Sequence, residues 1–476
     1  MLRRTKIIAT LGPSTDDASM LDKIIQAGVD VVRLNFSHET PESHQKRIKQ
    51  LRKRAKFYGR TIGVIADLQG PKIRIEAFKN GKIILKENDK FILDAACKKK
   101  EGNQERVGIT YKPLPKDVQA DDVLLLDDGR IVLKVSEIVD KEVRCTVKVG
   151  GILSNSKGIN RQGGGLSAEA LTDKDRADII DIAKMPVDYV AVSFPRSAKD
   201  IENARKLLLA AGSQAGIIAK IERAEALDNA EEIIKASDAI MVARGDLGVE
   251  IGDGNLPPVQ KNLIKQARNL NTVVITATQM MESMIENPIP TRAEVFDVAN
   301  AVYDGTDAVM LSGETAAGKY PDKAITAMDR VCLEAEKQRS VRVSSHRMDK
   351  EFGRIDEAVA MATMYTANHL NISAIAALTE SGSTPLWMSR INSGIPIFAL
   401  SPHTSTCNKI TLYRGIYPIR FKEAYKVSTI EANQLILNEL KKRGAISAGD
   451  LVLLTKGDLD GIAGGTNLMK IVCVGE

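Results

Sequence analysis

Three short clusters in this sequence pair charge with spacing that could do chemistry: Arg33-Leu34-Asn35-Phe36-Ser37-His38, Lys220-Ile221-Glu222 and Arg244-Gly245-Asp246. Glu222 and Asp246 offer hard carboxylate oxygens, which Mg²⁺ takes when it keeps its other positions for water and substrate oxygens. Lys220 stands two residues before Glu222, and the period of a strand points both side chains the same way, placing an ammonium beside the metal. Arg33 adds a guanidinium suited to bidentate phosphate contact, and Thr276-Ala277-Thr278 adds hydroxyls. Cations gathered around a carboxylate pair imply an anionic substrate. Singly, each residue reads better as a structural ion pair or a strand-end cap, so the argument rests on whether the fold brings them together.

The elements that must position them are legible. Apolar runs rich in Val and Ile, each ending in a polar residue, recur at Lys6 to Thr10, Val31 to Ser37, Ile62 to Asp67, Tyr189 to Ser193, Gly216 to Glu222, Ala239 to Asp246, Thr272 to Thr278 and Ala308 to Glu314. Amphipathic helical patterns separate them. Such strands form a parallel sheet covered on both faces, and eight β/α units close a (β/α)₈ TIM-type barrel whose catalytic groups sit at the C-terminal strand ends. All three clusters and Thr278 fall at those ends. Between the third and fourth runs, residues 71–167 change to short alternating segments punctuated by Asn80-Gly81, Asp128-Gly129 and Gly150-Gly151, which predicts an inserted small β-barrel domain at the mouth. Helix re-entry is marked by capping boxes at Thr172 to Asp175 and Thr291 to Glu294. Past about Ser340 a polar basic stretch, Arg342 to Lys350, precedes a second α/β series with strands near Ser373 to Leu378, Pro396 to Leu400, Pro418 to Phe421, Asp450 to Thr455 and Met469 to Val474. The expected organisation is a barrel from 1–70 and 168–340, a β lid from 71–167, and a C-terminal α/β open-sheet domain from 341–476.

Composition narrows the function classes. The chain has 476 residues, 43% hydrophobic and 27% charged, with no apolar run near the ~20 residues of a membrane span. Five scattered cysteines without a C-x-x-C pair read as reduced cytosolic thiols, and no export signal is visible, so a cytoplasmic protein is expected. A net charge of +6 and 4% aromatic residues speak against a nucleic-acid binder. The basic stretch Lys46 to Arg60 carries Ile48, Leu51, Ala55 and Tyr58 at helical spacing and reads as a solvated helix face. Gly313 to Tyr320 fits G-x-x-x-x-G-K, but Tyr320 stands where a P-loop needs Ser or Thr, and Pro321 disfavours helix at the lysine.

Thr10-Leu11-Gly12-Pro13, Arg33 to His38, Gly70-Pro71, Leu126-Asp127-Asp128-Gly129, Ser193-Phe194, Lys220-Ile221-Glu222, Met241 to Glu250, Ala277-Thr278-Gln279-Met280 and Asp304 to Glu314 occur in one order along the chain. In them the sequence resembles the pyruvate kinase family over essentially its whole length. The resemblance implies a mobile lid, a regulatory third domain, a homotetramer, and phosphoryl transfer from phosphoenolpyruvate to ADP. It implies that Glu222 and Asp246 hold Mg²⁺ (or Mn²⁺), that Lys220 neutralises the phosphoryl and the enolate, and that Arg33 binds phosphate. Asn35, His38, Arg74 and Lys157 would face the nucleotide, which brings a second Mg²⁺. Gly245 and Asp246 would hold the substrate carboxylate by free N–H groups, and Thr278 would serve enolate protonation through water. Thr379, Ser381, Ser383 and Thr384 match the family's effector-phosphate loop, with Gly461 to Thr466 closing over it. No basic residue stands in that first loop, which favours sugar monophosphates or AMP over fructose 1,6-bisphosphate. In potassium-requiring members a carboxylate follows Gly-Pro; here Lys72 does, and Leu68 removes a hydroxyl. Independence from K⁺ is therefore expected, with Asn35, Ser37 and Asp67 as the remnant of the cation site. Two other readings compete: a Mg²⁺-dependent lyase or aldolase on a similar barrel, and a non-enzymatic metabolite- or RNA-binding protein. Arg74 and Lys157 argue for a nucleotide against the first, and the intact charged set argues against the second.

Overall fold

The computed structural model describes residues 2–342, 351–423, 427–457 and 464–475. Most of the Arg342 to Lys350 stretch and the Gly461 to Ala463 part of the expected closing loop lie outside the described residues. Eight parallel strands, Lys6–Thr10, Val31–Asn35, Gly63–Asp67, Tyr189–Val192, Gly216–Ile221, Ala239–Ala243, Val273–Ala277 and Ala308–Leu311, pair each with the next and the first with the last, closing a barrel. Their β-branched side chains are buried on both faces, as a parallel sheet wrapped by helices requires.

The strands are shorter than the apolar runs suggested, and the reason is local. The sixth stops at Ala243, and Arg244–Ile251 is a helix, so Arg244-Gly245-Asp246 form its first turn rather than a strand end. The eighth stops at Leu311 and Gly313–Ala316 turns helical. The second stops at Asn35, whose Oδ1 accepts the Ser37 N–H at 3.1 Å and bends the chain off the ladder. Both capping boxes are present, Thr172 with Asp175 and Thr291 with Glu294. Lys319 pairs with Glu286 and Tyr320 caps the helix Pro321–Ala335, so the G-x-x-x-x-G-K stretch makes no phosphate loop.

Most of the basic stretch, Lys46 to Phe57, lies in the helix Pro41–Phe57, capped by Thr40, and Tyr58 to Arg60 follow its end. Ile48, Leu51 and Ala55 are buried as expected, but Arg47 is buried too, held by Asp16 and Glu39. Arg52 and Arg54 pair with Asp188 and Asp22, so much of the positive charge is met by acids from neighbouring elements.

The insert is a curled six-stranded sheet, ordered Ile159–Arg161, Val123–Leu126, Ile131–Val139, Glu142–Val149, Lys90–Asp94, Arg106–Gly108, beside a two-stranded ladder of Lys82–Leu85 and Gly151–Ser154. It has its own core, built on Phe91, Leu124, Leu133 and Val147. The C-terminal sheet runs Ile416–Arg420, Ile397–Ser401, Ile372–Leu378, Leu451–Lys456, Leu468–Cys473, with only the last strand antiparallel. The barrel's inner core, including Ile8, Tyr189 and Met241, continues through Ile410 and Leu412 into this sheet's core. Buried Arg390 pairs with Asp307 across the same junction. None of the five cysteines is joined in a disulfide, and among the described residues no helix is long and apolar enough to cross a membrane.

Candidate active site

Asp67 is the hub of the barrel mouth. It ends the third strand, is 1% exposed, and takes Arg33 Nε on Oδ2 at 2.6 Å and Lys220 Nζ near Oδ1 at 3.3 Å. Arg33 also donates from Nη1 to Thr10 Oγ1 at 3.1 Å, which fixes the guanidinium plane. Lys220 reaches Glu222 Oε1 at 3.0 Å and donates to Ser193 Oγ at 2.7 Å, so the lysine and glutamate do share one side of the chain. Burial would raise Asp67, but Lys220 and Arg33 together hold it below the usual carboxylate range. Burial would lower Lys220, yet Asp67 and Glu222 raise it, so the ammonium stays charged.

Glu222 shows the opposite balance. Burial, with Asp246 and Asp67 nearby, pushes it up despite Lys220. Its Oε2 accepts the Phe194 N–H at 2.9 Å. Asp246 is met from the insert, where Lys72 Nζ lies 3.0 Å from Oδ1. Three carboxylates therefore face one space, with Lys220 set against Glu222 and Lys72 against Asp246. Hard carboxylate oxygens of this kind suit a dication. Among the described residues no three of His, Cys, Asp and Glu gather into a closed metal cage, so it would complete its shell from water and substrate oxygens, as Mg²⁺ does.

The helix Arg244–Ile251 opens at this mouth beside a cleft of about 410 Å³ bounded by Lys72, Asp246, Thr278 and Glu314. Gly245 N–H is not free as expected: it donates to Thr278 Oγ1 at 2.8 Å, while Thr278 Oγ1 donates to Ala277 O at 2.6 Å. Thr278 and Gln279 hold φ of +67° and +55°, a left-handed conformation costly for non-glycine residues and common at functional sites. Arg244 holds that turn, its Nη2 donating to Thr278 O at 2.7 Å and its Nη1 pairing with Asp297 at 2.6 Å.

With this geometry in hand, residues 2–325 match the family model described as "Pyruvate kinase, barrel domain" and residues 357–472 match "Pyruvate kinase, alpha/beta domain". The chain belongs to the pyruvate kinase family. It is 56% identical to pyruvate kinase II of Salmonella typhimurium, over 99% of both chains, and 59% identical to the pyruvate kinase of Haemophilus influenzae, over 96% of both. The pyruvate kinase of Sporosarcina psychrophila is 42% identical over the whole chain and 81% of that protein. The chain is thus a phosphotransferase with pyruvate kinase activity, from a family that uses a divalent metal.

The remaining expected pyruvate kinase positions are divided between units. Arg74 and Lys157 stand together on the insert: Ile75 N–H donates to Lys157 O at 2.9 Å, Arg74 Nη1 donates to Ser156 O at 2.8 Å, and Lys157 pairs with Asp127 at 2.7 Å. Asn35 and His38 stand on the loop after the second strand, with His38 N–H on Asn35 O at 3.2 Å. Of the expected cation remnant, Asn35 and Ser37 close on each other, Asp67 is taken by Arg33 and Lys220, and Lys72 reaches Asp246. In the effector loop, Thr379 Oγ1 accepts the Gly382 N–H at 2.9 Å and Thr384 bonds Thr466 at 2.7 Å, so two hydroxyls are engaged internally. Ser383 bonds Asp356, which also holds Arg354 at 2.8 Å. A basic residue therefore does stand beside the loop, supplied from 29 positions upstream of Ser383. Asp67 as hub, Ser193, Phe194, Arg244 and Arg354 were not assigned these roles from sequence. The quoted Ser193-Phe194 and Met241 to Glu250 motifs were the available signals for three of them.

Proposed function

We propose that the chain transfers the phosphoryl group of phosphoenolpyruvate to ADP at the Asp67-centred mouth, with Mg²⁺ held by Glu222 and Asp246. The observation that carries this reading is the unbroken chain of contacts Arg33–Asp67–Lys220–Glu222, which aims two cations and a carboxylate into one space. When bound, the dication would supply charge stabilisation to substrate carboxylate and phosphate oxygens. Arg33, fixed by Asp67 and Thr10, binds the phosphate. Lys220 neutralises the phosphoryl in flight and then the enolate oxygen, a mainly electrostatic contribution because a loose transition state leaves little covalent work. The substrate carboxylate takes the N–H groups of Gly245 and Asp246 at the helix start, displacing the Thr278 hydroxyl. Thr278 then relays a proton to the enolate through water, its own pKa being too high for direct acid work.

Asn35, His38, Arg74 and Lys157 receive the nucleotide and its own Mg²⁺ as the insert closes. Lys72 supplies the positive charge that K⁺ brings in potassium-requiring relatives. The third domain binds a phosphorylated effector at Thr379, Ser381, Ser383 and Thr384, and the protein works as a cytoplasmic homotetramer. The deciding assay is pyruvate formation from phosphoenolpyruvate with and without ADP. Strict dependence on ADP is expected, and turnover indifferent to ADP would favour the lyase reading instead.

A further inference from the structure

Arg223 follows Glu222, is 4% exposed, and sends its guanidinium to main chain: Nη1 donates to Leu166 O at 3.0 Å and to Ala168 O at 3.4 Å. Burying a guanidinium on carbonyls is costly, so it needs a reason. Leu166 to Ala168 belong to the segment by which the insert returns to the barrel. The rest of that segment is clamped by Arg223's neighbours. Glu225 accepts the Gly165 N–H, the Glu250 carbonyl accepts the Gly163 N–H at 2.9 Å, and Glu250 Oε2 accepts the Ala224 N–H at 2.9 Å.

The same guanidinium lies over the Phe194 ring, 5.5 Å from its centroid. Phe194 has φ +55°, a left-handed conformation that an aromatic residue adopts only when its surroundings enforce it. The outgoing hinge presses on the same turn. A Cβ added at Gly70 would stand 2.6 Å from Ser193 Cβ and 3.1 Å from Phe194 Cδ2, and Gly70 N–H is pinned by Asp175 at 3.0 Å. Both crossings of the insert thus meet at one strained residue, and the N–H of that residue holds Glu222 Oε2 while Lys220 holds Oε1.

We propose that Arg223 is a positioning residue for the known reaction: it clamps the returning segment of the insert onto Phe194 and thereby fixes which oxygen of Glu222 is offered to the metal. This rests on the reading of Glu222 as a metal ligand. Partners that orient a metal's ligands are typically worth about 10–100-fold in metal affinity. The test is Mn²⁺ binding to the full-length protein without nucleotide, read by electron paramagnetic resonance, alongside limited proteolysis at Gly163-Gly164-Gly165. Arg223→Met should weaken Mn²⁺ binding about tenfold or more and speed cleavage. Arg223→Lys, which keeps the charge but cannot span both carbonyls and the ring, should recover part of the affinity. Phe194→Leu, which removes the platform but keeps the N–H, should share the loss. Faster cleavage with unchanged Mn²⁺ affinity in both Arg223 variants would make Arg223 a mere anchor and overturn the proposal, as would no change in either readout. Glu222→Gln separates the underlying reading: undiminished Mn²⁺ binding there would remove the ligand assignment itself and the proposal with it.

Discussion

Lys72 Nζ lies 3.0 Å from Asp246 Oδ1, tying the start of the insert to a carboxylate on the barrel helix expected to hold metal. The two side chains are 29% and 21% exposed, so the pair contributes little to stability. Its consequence is local charge. If that ammonium replaces a potassium ion, activity in tetramethylammonium buffer should change less than about threefold when KCl is added. Lys72→Glu sets a carboxylate against Asp246 and should lower activity in a way that K⁺ partly restores. Strong K⁺ activation of the wild type, or an active Lys72→Glu enzyme blind to K⁺, contradicts the substitution.

Lys220 sits between two buried carboxylates, Asp67 at 3.3 Å and Glu222 at 3.0 Å. Lys220→Met keeps the stem and removes the charge. Loss of one oxyanion donor costs about 10²–10³ in kcat, and loss of a full charge should cost more. The structure adds a second expectation, because buried Glu222 loses its cation while Asp67 keeps only Arg33: stability should fall by about 3 kcal/mol, read as an earlier urea midpoint. Retention of more than about a tenth of kcat would refute the role in phosphoryl transfer.

Thr278 accepts from Gly245 N–H at 2.8 Å and is not in contact with the Arg33–Asp67–Lys220 chain, so its loss should divide the two half-reactions. In Thr278→Ala, exchange of solvent tritium into pyruvate should fall by about 10²-fold, the scale of a general acid–base contribution, while phosphoryl transfer falls less. Equal losses in both would show that the hydroxyl acts only by shaping the turn.

Arg354 stands 2.8 Å from Asp356, which in turn takes the Ser383 hydroxyl, so a cation and a hydroxyl of the proposed effector loop share one carboxylate. A phosphate arriving there would compete with Asp356 for Arg354. Sugar monophosphates or AMP should sharpen the phosphoenolpyruvate saturation curve more than fructose 1,6-bisphosphate does. Arg354→Ala should blunt that response without changing maximal velocity. Saturation curves unmoved by the whole panel count against the site.

Barrel, insert and third unit were legible because each announces itself by period: apolar runs for buried parallel strands, alternation for the insert, and a second set of runs after Ser340. Strand ends were less so, since Asn35 and Arg244 leave the ladder through side-chain and helix contacts that no run of hydropathy records. Lys220 and Glu222 were readable as a pair because they are two residues apart. The hub Asp67 was not, because its link to Arg33 spans 34 residues and forms only when the second and third strands align Asn35 with Asp67. Arg354 was hidden for the same reason: its proximity to Ser383 exists only once helix and loop pack.

Glu250 offers a pH test of the clamp on the insert. Burial, aided by the neighbouring charge of Glu225, pushes its carboxyl from the ordinary 4.5 to about 7, although the Ala224 N–H favours the charged form. A carboxyl raised on folding keeps its proton where the opened form has lost it. The closed clamp is therefore most stable below pH 4.5 and loses stability as pH rises through 7. The shift corresponds to about 3 kcal/mol between those limits. Hydrogen exchange at Ala224 and Gly163, whose amides bond Glu250 Oε2 and O, reports local opening without requiring two-state unfolding of the whole chain. After correction for intrinsic rates, wild-type protection there should fall relative to Glu250→Gln between pH 4.5 and 8, because the amide stays neutral. A constant difference between the two proteins across that range would mean that Glu250 carries its charge at no cost, compensated by Arg223.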